Sequence, residues 1–396
     1  MSEWKEYNLN EVYDFASGLS KGAAEFGFGY GFLGFKDVFH NFFAPDELTS
    51  LVNSTEKEQE SCSIKRGDVF LTRTSETDED LGMSCVALKD YPKATFNGFT
   101  KRLRPKGNVE ILSEYAGFYF RSPKFRGTVS GMSSITTRAS LNNSMLAQLT
   151  IDVPPIQEQK AIAETLYKMY SKINLLSQQN ETLENLTDVF YSQLIENSDS
   201  EEWRECSIVD LPKLSLLKPG LESFSGEKIY LATADIQDKI IVNRKNKITF
   251  NKRPSRANMQ PVKNSIWFAK MKDSPKFLLI DGSNESLISE LILSTGFYGL
   301  QVGEGLYYVW KFINSSDFSN QKNSNISGSV MEALNNEGLK GIRLKFPPKH
   351  LLKIFEETVT PYYLKISNNN IQIQNLQRML DSLLPKLMNR EAYITI

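Results

Sequence analysis

A chain of 396 residues is longer than a single hydrophobic core usually sustains, so its length predicts two globular units with connectors. With 40% hydrophobic and 23% charged residues, and no run near the ~20 apolar residues of a membrane span, it reads as a soluble globular protein. A formal net charge of -1 excludes a globally basic nucleic-acid binder, so any such role must rest on local charge.

The first residues, Met1-Ser2-Glu3-Trp4, lack a basic stretch followed by an apolar one, so no secretory signal and a cytoplasmic address are expected. Cys62, Cys85 and Cys206 are widely spaced and odd in number, which predicts free thiols rather than disulfides or a zinc site. Along the chain, Trp4-Lys5-Glu6 with Leu9 returns as Trp203-Arg204-Glu205 with Ile208. Leu33 with Asp37-Val38 returns as Leu231 with Asp235-Ile236, and Gly67-Asp68-Val69-Phe70-Leu71 stands where Asn264-Ser265-Ile266-Trp267-Phe268 does. Leu141-Asn142-Asn143, Pro154-Pro155, Tyr170 and Lys172-Ile173 recur at one constant offset as Leu334-Asn335-Asn336, Pro347-Pro348, Tyr363 and Lys365-Ile366. The chain is therefore two copies of one unit, each a mixed α/β globular part followed by a helical part. The boundaries expected are a globular part over 1–153, a helix over 154–198, a second globular part over 199–346 and a second helix over 347–396.

Strand-like runs are expected at 68–72, 118–120, 265–269 and 307–312, and Gly29 to Gly34 reads as loop-to-strand. Alternation at Leu149, Ile151 and Val153, and at Ile342, Leu344 and Phe346, predicts closing strands over 146–153 and 339–346. After each Pro-Pro pair a 4-3-4-3 spacing sets in. The first series is Ile162, Leu166, Met169, Ile173, Leu176, Asn180, Leu183, Thr187, Phe190 and Leu194. The second is Phe355, Val359, Tyr362, Ile366, Asn369, Ile373, Leu376, Leu380, Leu383 and Leu387. Such sustained heptads predict two long helices that bury their seams against each other, with Asn180 and Asn369 fixing register. Core-facing helices of ordinary domains would seldom run so far. Pro361, and Pro385 near the end, are expected to kink or restart the second helix.

Enzyme signatures are lacking. Only His40 and His350 are present, no phosphate-binding loop occurs, and Gly29-Tyr30-Gly31-Phe32-Leu33-Gly34 satisfies a dinucleotide pattern without the preceding apolar strand. Charge is the positive signal. Residues 93–138 net about +7 and residues 239–276 about +10, the first span interleaved with aromatics such as Phe96, Phe99 and Tyr115. A merely solvated face would give either patch alone; one in each copy points to DNA phosphates. Candidate contacts are Arg73 and Thr74 beyond the 68–72 strand, Lys101, Arg102, Arg104, Arg126 and Arg138, then Lys245, Lys252, Arg253 and Arg256, and Lys270 with Lys272. The acidic run 76–80 is expected to face away from DNA.

Two diverged globular domains, each followed by a helix opened by Pro-Pro, resemble the specificity subunits of Type I restriction-modification systems. Val153-Pro154-Pro155-Ile156-Gln157-Glu158-Gln159-Lys160-Ala161-Ile162-Ala163 is similar to that family's P-P-x-x-E-Q-x-x-I-A element. Trp4 and Trp203, Gly67-Asp68-Val69 with Arg73, and Leu383-Leu384-Pro385-Lys386-Leu387 also fit it. The second copy departs at Phe346-Pro347-Pro348-Lys349-His350-Leu351, where the E-Q pair is missing, and at Ser265. The resemblance implies a non-catalytic, pseudo-twofold protein in which an antiparallel coiled coil holds two target-recognition domains apart on a bipartite double-stranded DNA site. It implies two modification (methyltransferase) subunits as partners and restriction (translocase/nuclease) subunits beside them. S-adenosylmethionine, ATP and Mg would then sit on those partners, and no cofactor on this chain. A coiled-coil protein-protein scaffold without DNA readout is the alternative; it leaves the two basic spans without a role.

Overall fold

The computed structural model describes residues 4–75, 80–132, 139–196, 202–326 and 332–394. The chain divides into two compact units, one of Met1–Ile173 with Asn375–Ile396 and the other of Asn174–Gln374.

In the first unit, Trp4 is buried and leads into β1 (Lys5–Asn8). Strands β2 (Tyr13–Ser17), β3 (Val69–Thr72), β4 (Ser84–Val86) and β5 (Thr100–Pro105) form an antiparallel sheet in the order β2-β5-β3-β4. Helices α1 (Ser113–Tyr119), α2 (Pro123–Met132) and α3 (Asn143–Gln148) follow, then β6 (Thr150–Val153), which pairs antiparallel with β1 from Lys5↔Val153 to Asn8↔Thr150. Helix α4 begins at Ile156, after Pro154-Pro155, and runs 41 residues to Glu196. Proline before a first turn loses no helical hydrogen bond, because the leading N–H groups have no partner there anyway.

The second unit repeats this plan. Strand β7 (Arg204–Ser207) follows Trp203. Strands β8 (Leu214–Leu216), β9 (Ser265–Ala269), β10 (Phe277–Ile280) and β11 (Phe297–Val302) form a sheet in the order β8-β11-β9-β10. In both sheets the strands taken in chain order as first to fourth lie first-fourth-second-third. Helices α5 (Leu306–Ile313), α6 (Ser316–Ser324) and α7 (Asn336–Lys340) precede β12 (Arg343–Phe346), which pairs with β7 from Arg204↔Phe346 to Ser207↔Arg343. Helix α8 (Lys349–Met388) closes the repeat.

The recurring residues turn out to be caps and anchors. Asn142 and Asn335 each cap a helix, their side chains accepting from the N–H of Met145 and Gly338. Asp37 and Asp235 each take the N–H three residues back, at Gly34 and Ala232. Tyr115 and Tyr308 each donate a hydroxyl hydrogen bond to a carbonyl of the closing strand, Asp152 and Lys345. The two departures have local explanations. Gly67 has φ +87°, and Asn264, one of the residue types that tolerates this region, replaces it at φ +56°. Asp68 is fully buried beneath the Arg104 guanidinium, whereas Ser265 instead accepts from the Trp267 indole at 2.8 Å and donates to the Val262 carbonyl. Gln159, buried in the first unit, bonds the Leu112 N–H and the carbonyls of Glu110 and Pro154. At the matching place Leu352 is buried, and Glu356, one helical turn on, accepts from the N–H groups of Tyr307 and Tyr308.

Within the first unit, Ile162 and Leu166 of α4 share one core with Leu380, Leu384 and Leu387 of α8 and with Val69, Leu71 and Leu103 of the sheet. Within the second unit, Leu183, Phe190 and Leu194 of α4 pack against the core that holds Phe355, Val359 and Ile366 of α8. There Asn180 bonds Asn370, Thr187 meets Tyr363 and Phe190 stacks on Tyr362, so one number falls as the other rises and the pairing is antiparallel. Of the remaining seam residues, Leu176 is buried, and Met169, Ile173, Ile373, Leu376 and Leu383 are half-buried.

Three local expectations are corrected. The run at 118–120 is the C-terminal end and cap of α1, and 307–312 lies within α5: every residue of α5 is buried, and a segment buried on all faces carries no period that separates strand from helix. The closing strands are only four residues long, the earlier part of each segment being α3 or α7. Helix α8 runs unbroken through Pro361 and Pro385, so neither proline restarts it; each only removes one N–H from the helical ladder.

Candidate nucleic-acid interface

Where β3 ends, the Arg73 N–H donates to the Phe99 carbonyl at 2.9 Å, and its own carbonyl accepts from the Leu141 N–H at 2.7 Å. Where β9 ends, the Lys270 N–H donates to the Gly296 carbonyl at 2.9 Å, and its carbonyl accepts from Leu334 at 2.9 Å. The next residues, Thr74 and Met271, pair with Ser140 and Ala333. Arg73 and Lys270 therefore occupy one backbone position of the repeat, fixed by the same two bonds from non-adjacent segments.

Their electrostatic settings also correspond. The Arg73 Nε is buried and lacks a hydrogen-bond partner among the described residues. Burial lowers the pKa of neighbouring Lys101, and the Arg73 charge lowers it further. Burial lowers that of Lys270, and Arg256 adds to the effect. The Lys270 ammonium lies 4.5 Å from the Tyr298 ring centroid. Each position thus brings two like charges together, and among the described residues neither pair is neutralised by a carboxylate within ion-pair distance. An anion at either place would relieve that repulsion.

The other predicted contacts divide sharply. Lys101 is buried, donating to Ser17 and Asn143 at 2.9 Å each. Arg102 is buried, with its guanidinium on the carbonyls of Ser61 and Ser63 and 5.5 Å from the Phe96 ring centroid; burial lowers its pKa first, proximity to Arg104 second. Arg104 grips Asp68, and that hydrogen bond raises its pKa. Arg126 reaches inward to the Leu81 carbonyl, and its pKa falls through burial. The charge of these four suits DNA contact, but their donors serve the first unit's interior. Arg253 lies over Phe250 at 4.3 Å and bonds its carbonyl. Lys245, Lys252, Arg256 and Lys272 are exposed, Lys272 with Glu332 at 3.2 Å. Arg138 and residues 76–79 of the acidic run lie outside the described residues. Sequence reasoning did not find Tyr298 or Lys322 at this position, because both arrive through pairings that span tens of residues. Phe99, 57% exposed beside Arg73, had signalled itself only as one aromatic of the basic span.

Each unit thus carries a cation at the same backbone position of a shared plan, and among the described residues no cluster of His, Cys, Asp or Glu could hold a metal ion. Residues 1–185 match the family model "Type I restriction modification DNA specificity domain". The chain is 25% identical over 370 residues to the Type I restriction enzyme MjaIX specificity subunit of Methanocaldococcus jannaschii, covering 86% of this chain and 82% of that one. It shares its fold with the crystal structure of a Type I restriction-modification S subunit from M. genitalium: TM-score 0.59, 13% identity, 100% of this chain and 97% of that one. Over residues 1–185 the chain is similar to the specificity-domain family, and along most of its length it resembles a specificity subunit of a Type I restriction enzyme.

Proposed function

We propose that this subunit reads a bipartite duplex site, residues 1–153 reading one half and residues 199–346 the other, with the paired helices setting the spacer. The observation that carries this is the equivalence of Arg73 and Lys270, each a cation at the end of the same strand in its unit, with no carboxylate within ion-pair distance among the described residues. Arg73 with Thr74, and Lys270 with Arg256 and Lys272, meet base edges or nearby phosphates; Lys245 and Lys252 meet phosphates. A helix of 40 residues spans about 60 Å, enough to separate two major-groove contacts by more than one turn of DNA.

Two modification subunits and the restriction subunits dock on the complex, and S-adenosylmethionine, ATP and Mg belong to them. Leu175, Leu186 and Val189 are exposed on α4, an apolar surface suited to such docking. Among the described residues no helix is long and apolar enough to cross a membrane, and the action on DNA is assigned to the cytoplasm.

The experiment is co-expression with the methyltransferase encoded beside it, followed by mapping of methylated adenines across the host genome. A bipartite motif with a fixed spacer, altered in one half only when residues 1–153 are exchanged, supports the reading. A stable complex that yields no motif refutes it and favours the scaffold.

A further inference from the structure

Lys322 lies on α6 and is 4% exposed. Its ammonium donates to the carbonyls of Ala269, Met271 and Ser274 at 3.3, 2.9 and 3.3 Å. An ammonium carries three hydrogens and no acceptor, so all three find partners, all in the segment that carries Lys270 and Lys272. The neighbouring Asn323 brackets the same segment: its amide donates to the Asp273 carboxylate at 2.7 Å, and its oxygen accepts from the Asp273 N–H at 3.2 Å. Asp273 has φ +49°, a conformation unusual for a residue with a side chain and one that such local bonds sustain. Burying a cation is costly and lowers the Lys322 pKa; three loop carbonyls accept its hydrogens and the nearby Asp273 carboxylate offsets part of the burial. In the first unit the equivalent helix, α2, also sends a cation to a turn: Arg126 bonds the Leu81 carbonyl, next to Gly82 at φ +68°.

We infer that Lys322 is a positioning residue for the second recognition domain, gathering residues 269–274 so that Lys270 and Lys272 meet DNA in one fixed arrangement. Arg126 is its counterpart, an anchor of the first domain's loop rather than a reader. The inference rests on the bipartite reading above. A cation that only stabilised the fold would, on removal, weaken methylation at every site alike; an anchor of the loop changes which bases are accepted in one half-site.

The test uses the full chain in its complex, with methylated adenines mapped for the parent, Lys322→Met, Asn323→Ala and Val359→Ala, the last removing methyl groups from a buried helix position away from the loop. Lys322→Met is expected to raise non-consensus bases about tenfold at one or more positions of the half read by residues 199–346, leaving the other half and the spacer unchanged. Asn323→Ala is expected to do the same more weakly, and it keeps the test open should Lys322→Met fail to assemble. Val359→Ala is expected to preserve the motif at an equal loss of melting temperature. If both loop variants keep the parent motif, or if Val359→Ala relaxes the same positions, Lys322 is only a stabilising residue. If the parent itself yields no bipartite motif, the underlying reading fails instead.

Discussion

The Asn369 amide donates to the Asn180 side-chain oxygen at 2.8 Å across the two long helices of the second unit, and to Gln179 at 2.9 Å. Asn180 in turn donates to Asn370 at 2.9 Å. Asn369 is fully buried, and its own oxygen has no partner among the described residues. A polar layer in an apolar seam sacrifices stability, and the Asn369 amide finds its acceptors only when the two asparagines stand opposite each other, so the layer selects one register. Asn369→Ala should cost about 1–2 kcal/mol through the stranded partner. The double change Asn180→Leu with Asn369→Leu should raise the melting temperature while broadening the spacer in mapped motifs. A stabilised double variant with one sharp spacer would remove register selection from the layer.

Arg73→Ala should relax the half-site read by the first unit, and Lys270→Ala the other, each costing about 1–3 kcal/mol in discrimination, or roughly 5- to 150-fold. Lys245→Ala and Lys252→Ala should weaken binding evenly across sequences and reduce the dependence of log K on log salt by about one unit each. Duplex titrations at several salt concentrations separate the two behaviours.

Arg104 is assigned to the interior, and its partner tests that. Asp68 is fully buried, so Asp68→Ala should destabilise the first unit by about 3–5 kcal/mol, because a guanidinium is left without its carboxylate. Denaturant unfolding of Asp68→Ala, Arg104→Met and the double variant should give strong coupling. Additive losses would free Arg104 for a role outside the sheet.

Burial raises the Glu356 carboxyl to about 7, opposed by the two backbone N–H groups it accepts at the start of α5. The folded state therefore binds this proton more tightly than the unfolded one. Stability should fall as pH rises from about 4.5 to 7, by an amount on the order of 3 kcal/mol, and level off above. Glu356→Gln still accepts from both N–H groups and carries no charge, so its unfolding free energy should lose this slope. An unchanged slope would place the titrating group elsewhere.

Leu186→Glu with Val189→Glu should leave the chain folded, since both side chains are exposed, and should abolish co-purification of the methyltransferase subunits. Intact co-purification would place the docking surface on another face.

The sequence by itself determined the repeat, the two long helices with their seam, and the resemblance to specificity subunits, because these are carried by local spacing. A heptad, a Pro-Pro helix start, and an asparagine or aspartate at a helix N-terminus each act within a few residues, and such signals survive when the rest diverges. Period could not decide 118–120 or 307–312, where burial on all sides removes the contrast between faces. Charge alone could not separate exposed cations from those bonded within the unit: Lys101, Arg102, Arg104 and Arg126 stand in the same basic span and donate inward. Only the tertiary structure decided that, since whether a cation faces solvent or a buried carbonyl depends on strand and helix partners tens of residues away. The equivalence of Arg73 and Lys270 was settled in the same way, by backbone bonds that bring Leu141 and Leu334 back to the ends of β3 and β9.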